Sequence, residues 1–169
     1  MVQNEFLHDI AFGPSRQVKS WRRFFVNGYI FHSDSLAERR KTCNSGVCVK
    51  GEGTSEFYGK LKEVVELEYP GRHEKRVVLF NCEWFDSLSS QGIRIHKEYG
   101  IVDIKQNARY PKFDPFIIAQ HATQVYYVPY PGRTPSQMNW RCVIKTRPRS
   151  RVDQANTEEK NINSMEEGL

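Results

Sequence analysis

The chain has 169 residues, of which 38% are hydrophobic and 12% aromatic, and its formal net charge is +5. This composition suits one folded domain with tails and excludes wholesale disorder. No apolar run approaches the roughly 18 residues that a membrane helix needs, and the N-terminus lacks the basic and apolar regions of a secretory signal. We therefore expect an intracellular protein.

The charge is distributed unevenly along the chain. Residues 1–51 carry eight Lys or Arg and four Asp or Glu, whereas residues 52–140 carry eleven of each. Residues 141–151 carry five basic residues and no acid, and residues 152–169 carry one Lys and five acids. The pattern indicates a neutral core between basic segments, followed by a polar acidic tail that we expect to be disordered.

The first clear structural signal is "FFVNGYIFHS" (24–33), in which Asn27-Gly28 separates two aromatic and β-branched runs. Both central residues of a type I′ turn need positive φ, which Asn-Gly tolerates best, so we predict a β-hairpin. The next stretch, 33–45, is polar and basic, and "SLAERR" favours a helical turn. A short, glycine-bounded strand is predicted at 46–51.

Residues 57–69 have the composition of a helix but the alternation of a strand. Pro70-Gly71 favours a turn, and the strongly β-forming run 75–86 follows after a short connection, so antiparallel pairing of the two segments is expected. We therefore predict a strand at 57–69. The pair Val64-Val65 interrupts its alternation and suggests a β-bulge there.

The remaining elements are short. Strands are predicted at 92–96, 99–105, 123–130 and 140–146. Asp114-Pro115 has the character of an N-cap followed by the first helical residue, which predicts a helical turn within 114–122.

Together these elements predict a mostly β fold. We expect a small open barrel of the Tudor or bromo-adjacent-homology kind, with an N-terminal β-hairpin, one short helical turn and a disordered acidic C-terminal tail. The expected parts are an N-terminal segment (1–20), a β-hairpin and basic loop (21–51), a β-barrel domain (52–147), and a basic arm with the acidic tail (148–169).

Eight segments then carry a resemblance, in chain order: "GPSRQVKSW", "VNGYIFHS", "RRKTCNSGVCVKG", "YGKLKEVVELEYPG", "RVVLFNCEWFD", "YGIVDI", "DPFIIAQHATQVYYVPYP" and "WRCVIKTRPR". They resemble the plant domain of unknown function (the DUF4216 type) found near the C-terminus of CACTA (En/Spm-type) transposase proteins. The resemblance covers about residues 11–153. It implies a plant origin and descent from a mobile element, and it supplies no catalytic mechanism.

We expect no enzymatic activity, cofactor, metal or small-molecule substrate. Asp86, Asp103 and Asp114 could be two-metal ligands, but each has an ordinary structural explanation, and the βαβ scaffold of transposase nucleases is absent. There is no G-x-S-x-G elbow and no phosphate-binding G-x-x-x-x-G-K-[ST] loop. Cys43 and Cys48 lack the second half of a zinc site, so they and the other cysteines are expected to be free thiols.

A nuclear accessory role that binds DNA non-specifically through phosphates is the leading hypothesis. Its candidate residues are the Lys and Arg side chains of the two basic segments: Arg22, Arg23, Arg39, Arg40, Lys41, Arg141, Lys145, Arg147, Arg149 and Arg151. In the last predicted strand, Arg141 and Lys145 should share one face, and "KTRPRSR" should leave the strand as a flexible basic arm.

Two alternatives stay open. The first is a protein-interaction module, which would join a transposase or chromatin protein, either through a strand edge or through an aromatic cage built from Tyr58, Trp84, Tyr127 and Trp140. The second is a transposon remnant without function. Convergence of the basic segments on one face would favour DNA, whereas an apolar patch or a free strand edge would favour a protein partner.

Overall fold

The computed structural model describes residues 2–37, 44–71, 75–87, 90–131, 134–135 and 137–149, with side chains from residue 7 onward. The helical elements are α1 (Val2–Ala11), α2 (Asp34–Ala37) and a 3-10 turn (Ala119–His121). The strands are β1 (Lys19–Trp21), β2 (Arg23–Val26), β3 (Tyr29–His32), β4 (Gly46–Lys50), β5 (Glu56–Tyr69), β6 (Lys75–Trp84), β7 (Ile93–His96), β8 (Ile101–Lys105), β9 (Phe116–Ile118), β10 (Thr123–Pro129) and β11 (Trp140–Lys145).

The long strand β5 confirms that residues 57–69 are extended despite their helical composition. It pairs antiparallel with β6 from Gly59–Trp84 to Tyr69–Lys75, so sheet pairing outweighs intrinsic propensity. The register shifts between Leu61 and Glu63, and the bulge therefore lies at Lys62 rather than at Val64-Val65 as predicted. Because Lys62 is the extra residue, Leu61 and Val64 can both face the same core.

The strands form one antiparallel nine-stranded sheet and a separate two-stranded hairpin. The sheet order is β7-β8-β11-β10-β4-β5-β6-β9. Strand β4 pairs with the first half of β5, and β1, the ninth strand, pairs with its second half. The prediction of a mostly β, open architecture is confirmed, and the described strands do not close into a barrel. Strand β4 lies near the centre of this sheet, between β10 and β5.

The β2–β3 hairpin confirms the Asn-Gly turn. Asn27 has φ 53° and Gly28 has φ 77°, as a type I′ turn requires. The inward face of the hairpin packs on the sheet, where the Phe31 ring meets the Phe80 ring edge-on at 5.0 Å between centroids. This cluster fills one face of the sheet, and a second cluster around Tyr58 and Val125 fills the other face at the β10–β11 end.

The helical elements differ in part from the prediction. The turn expected from Asp114-Pro115 begins later, at Ala119, because residues 116–118 pair with β6 as strand β9. Helix α1 was not predicted, and α2 occupies the start of "SLAERR". The predicted acidic tail lies outside the described residues. No helix in the described ranges combines the length and hydrophobicity needed to span a bilayer.

Candidate nucleic-acid interface

Two long stretches of the sequence contain no acidic residue, and the fold brings them together. They are residues 10–33, which include the β2–β3 hairpin, and residues 115–152, which include β9, β10, β11 and the segment that follows. Cations in such stretches have no neighbouring carboxylate in sequence. Whether they meet a carboxylate in space depends on the fold, and the contacts at the tip of the hairpin show how the two stretches meet.

The segment Arg147–Arg149, which we call the basic arm, is fastened to the turn of the hairpin. The backbone N–H of Arg149 donates to the carbonyl oxygen of Gly28 at 2.9 Å. A Cβ placed on Gly28 would lie 2.8 Å from the Pro148 Cβ, so the arm packs directly on the turn. The Tyr29 hydroxyl also donates to the Thr146 carbonyl at 3.2 Å. Residues 147–149 therefore have a defined position beside the hairpin, whereas the sequence predicted a flexible arm.

The hairpin is tied to the same acid-free stretch at two further points. The Asn27 side-chain amide donates to the Gln120 carbonyl at 2.7 Å, and the Gln124 amide donates to the Ile30 carbonyl at 2.6 Å. Gln124 is buried, so its amide would carry a desolvation cost without this partner. These bonds hold the hairpin, strand β10 and the basic arm in one arrangement.

The basic candidates divide into paired and unpaired side chains. Arg22, Arg23, Arg147 and Arg149 are exposed, and none of their side chains forms a hydrogen bond or ion pair with another residue of the described ranges. These four arginines lie on the hairpin, directly before it, or on the arm bound to its turn. An exposed guanidinium without an internal partner keeps all five donors for an external anion.

The other described candidates have internal partners. Lys145 lies 2.6 Å from a Glu56 carboxylate oxygen, and Arg141 donates to the carbonyls of Met138 and Trp140 at 3.0 and 3.1 Å. The register of β10 and β11 places Arg141 and Lys145 on one face, as predicted, but these contacts engage both side chains. Arg39, Arg40, Lys41 and Arg151 lie outside the described residues.

The hairpin also presents Phe25, which the sequence patterns did not single out. Phe24 packs toward the core, with its ring 6.2 Å from the Phe80 ring, and strand alternation turns Phe25 outward, where it is 46% exposed. Arg23 precedes Phe25 by two residues and therefore projects from the same face. The adjacent pair Phe24-Phe25 was the available signal, since one of two neighbouring strand residues must face away from the core.

The four aromatic candidates do not meet. Tyr58 and Trp84 are 1% and 8% exposed and belong to clusters on opposite faces of the sheet. The Tyr127 hydroxyl donates to the Gly59 carbonyl at 2.7 Å, and burial raises the pKa of Tyr127 well above its ordinary value. Trp140 is buried under the Arg94 guanidinium, which lies 3.8 Å from the ring centroid. The structure therefore does not assemble these four side chains into one open cage.

Asp103 forms a separate polar cluster on strand β8. The Tyr130 hydroxyl donates to the carboxylate, lying 2.6 and 2.7 Å from its two oxygens, and His96 Nε2 lies 2.9 Å from Oδ2. The hydrogen bond to Asp103 raises the pKa of Tyr130 to about 12. Asp86 and Asp114 lie in other loops, and the described residues include no group of three His, Cys, Asp or Glu side chains that could hold a metal ion.

The environments of the described thiols do not activate them as nucleophiles. Cys48, Cys82 and Cys142 are free, and burial raises the pKa of the Cys48 thiol to about 11. Burial also raises the pKa of Cys82 and, to a smaller extent, that of Cys142. A thiol held protonated is a weak nucleophile, so these side chains have the properties of core and sheet residues.

Comparison with known proteins adds one match. Residues 65–143 match a family model described as Domain of unknown function (DUF4216). The match begins within β5 and ends within β11, so the hairpin and the basic arm lie outside it, and it is shorter than the 11–153 expected from the resemblance. No curated protein matches the chain, and neither does any solved structure.

Proposed function

We propose that the chain is a non-catalytic accessory module that binds nucleic acid through the phosphate backbone, using the β2–β3 hairpin and the basic arm. One observation carries the proposal: four exposed arginines have no hydrogen-bond or ion-pair partner for their side chains in the described ranges. They lie on the two acid-free stretches, and hydrogen bonds between these stretches hold them side by side. Arginine binds phosphate through a planar pair of donors, and several arginines on one surface suit a polyanion rather than a single small anion.

The resemblance to the transposase-associated domain supplies the context of this proposal. A module derived from a mobile element would act in the nucleus, beside DNA or beside a transposase or chromatin protein. Phosphate contacts carry no sequence information, so the proposed binding is non-specific and strongly dependent on salt. Membrane and small-molecule partners are not part of the proposal.

The test is a salt titration of binding to a short labelled duplex, using the full chain. If four arginines each neutralise one phosphate, raising the salt from 50 to 200 mM should weaken binding roughly 150-fold. In the double variant Arg147→Gln/Arg149→Gln, two contacts remain, and the same change in salt should weaken binding only about 12-fold. Fluorescence anisotropy measures both values.

The matched control is Lys97→Gln/Lys112→Gln. Both lysines are exposed, and they lie in the β7–β8 turn and in the loop before β9, which belong to neither the hairpin nor the basic arm. The control variant removes the same charge and should keep the salt dependence of the unmodified chain. Equal losses in the two double variants would mean that net charge alone attracts DNA, and absence of binding at 50 mM salt would remove the proposal.

A second candidate function, a protein-interaction module, is favoured by the β9 end of the sheet. Strand β9 is the last in the sheet order, and its Phe116 and Ile118 are 47% and 43% exposed. Ile118 pairs with Leu79, which pairs with Val65, so an apolar row crosses three strands on one face. A free edge beside apolar surface can accept a strand from another chain.

Light scattering during size-exclusion chromatography tests this candidate with a second copy as the partner. Self-association that rises with concentration and is abolished by Ile118→Lys would support it. A monomer at all concentrations would exclude a second copy as the partner at this edge.

A further inference from the structure

We propose that Phe25 is a stacking platform for an unpaired nucleobase, and that the hairpin surface therefore prefers single-stranded over double-stranded nucleic acid. This inference rests on the proposed function, because it needs the arginines to hold the phosphate backbone. It adds the class of nucleic acid and a residue that contacts the base.

The first support is the outward position of the Phe25 ring. The register pairs Phe25 with Ile30 and Phe24 with Phe31, so the two phenylalanines point to opposite faces of the hairpin. Phe24 and Phe31 both contact the Phe80 ring, whereas no ring contact of Phe25 exists within the described residues. The ring of Phe25 thus contributes exposed apolar area without a packing role toward the sheet core.

The second support is the position of Phe25 between cations along the hairpin. Arg23 lies two residues before it, or about 7 Å along the strand. Gly28, to which the arm is bonded, lies in the turn that follows the next residue, at the other end of β2. Arg147 and Arg149 therefore extend from the turn end, and Arg22 and Arg23 occupy the opposite end. A strand of nucleic acid held by both groups would run along the hairpin that carries the ring.

The choice between single and double strands follows from the accessibility of bases. In a duplex the base faces are covered by their neighbours, so an exposed phenyl ring can reach one only by inserting between base pairs, which costs energy in unstacking. In a single strand the base faces are open, and stacking on an aromatic side chain tolerates any sequence. Cations that flank one exposed ring therefore match a single strand better than a duplex.

The experiment measures the affinity of the unmodified full chain and of its Phe25→Ala variant for a single-stranded oligonucleotide and for a duplex of the same sequence. Loss of one stacked base should weaken single-strand binding by about 5- to 150-fold and leave duplex binding nearly unchanged. Phe25→Tyr keeps the aromatic face and should retain single-strand binding. Phe113→Ala, which removes a 93% exposed phenylalanine from the loop before β9, is the control and should have no effect.

A spectroscopic readout separates stacking from general damage. The fluorescence of 2-aminopurine placed in the single strand should be quenched on binding by the unmodified chain and by Phe25→Tyr, and this quenching should be lost in Phe25→Ala. Circular dichroism checks that Phe25→Ala remains folded. If that variant is unfolded, the same comparison is made between Phe25→Leu, which keeps apolar bulk without a planar face, and Phe25→Tyr.

The outcomes distinguish this inference from the proposed function. Salt-dependent binding that is equal for single and double strands, and unchanged in Phe25→Ala, would overturn the stacking role and leave the phosphate-binding proposal intact. Absence of binding to either nucleic acid would overturn both. A larger effect of Phe25→Ala on the duplex than on the single strand would indicate insertion between base pairs and would also overturn the inference.

Discussion

Substitution of Gly28 by alanine tests whether the basic arm is bound to the hairpin turn. Gly28 has φ 77°, where a side chain costs about 1–2 kcal/mol. The new Cβ would also lie 2.8 Å from the Pro148 Cβ and 3.2 Å from the Arg149 carbonyl oxygen. The arm can relieve this clash by detaching, which sacrifices the N–H···O=C bond between Arg149 and Gly28 for about 1 kcal/mol. We therefore expect a total loss of about 2–3 kcal/mol in the free energy of unfolding.

Gly100→Ala is the matched control for this substitution. Gly100 has φ 63°, and no atom lies within 4 Å of the position that an added Cβ would take, so alanine there should cost the backbone strain alone, about 1–2 kcal/mol. In urea denaturation followed by circular dichroism, Gly28→Ala should unfold at a midpoint about 0.5 M below that of Gly100→Ala. Gly28→Ala should also weaken nucleic-acid binding, and Gly100→Ala should not. Identical midpoints and affinities for the two variants would refute the packing of the arm on the turn.

Two further predictions concern titratable groups near the sheet. Burial alone would raise the pKa of Glu56, but hydrogen bonds from Lys145 and Tyr58 lower it below its ordinary value of 4.5. Because the folded-state pKa is the lower one, the stabilisation is complete above about pH 4.5 and is lost as the pH falls through the folded-state pKa. Glu56→Gln should therefore lower the free energy of unfolding by up to about 1 kcal/mol at pH 7 and by less at pH 3, and an equal loss at both would contradict the ion pair. Iodoacetamide at pH 8 should alkylate half-buried Cys142 before buried Cys48, as followed by peptide mass spectrometry; equal rates in the native protein would show that Cys48 is accessible.

Local sequence signals were sufficient to predict most of the β-strands and their turns. Asn27-Gly28 predicts its own turn, because few other dipeptides tolerate positive φ at both positions. The Pro70-Gly71 turn and the strong strand after it identify β5 correctly. The bulge was misplaced by local reasoning, since its position depends on which residues of β5 must face the core opposite β6. The late start of the 3-10 turn has the same origin, because pairing with β6 makes residues 116–118 a strand.

The candidate site depends on contacts that the sequence alone does not predict. The sequence by itself determined the mostly β fold, the hairpin, the basic segments and the alternation that places Arg141 and Lys145 on one face. Only the tertiary structure decided which cations are free to bind an external anion. Lys145 forms an ion pair with Glu56, a residue far away in the chain, whereas Arg23 and Arg149 form no ion pair with a carboxylate in the described ranges. Ion pairs and buried faces depend on contacts between residues distant in sequence, and such contacts exist only once the sheet register is fixed.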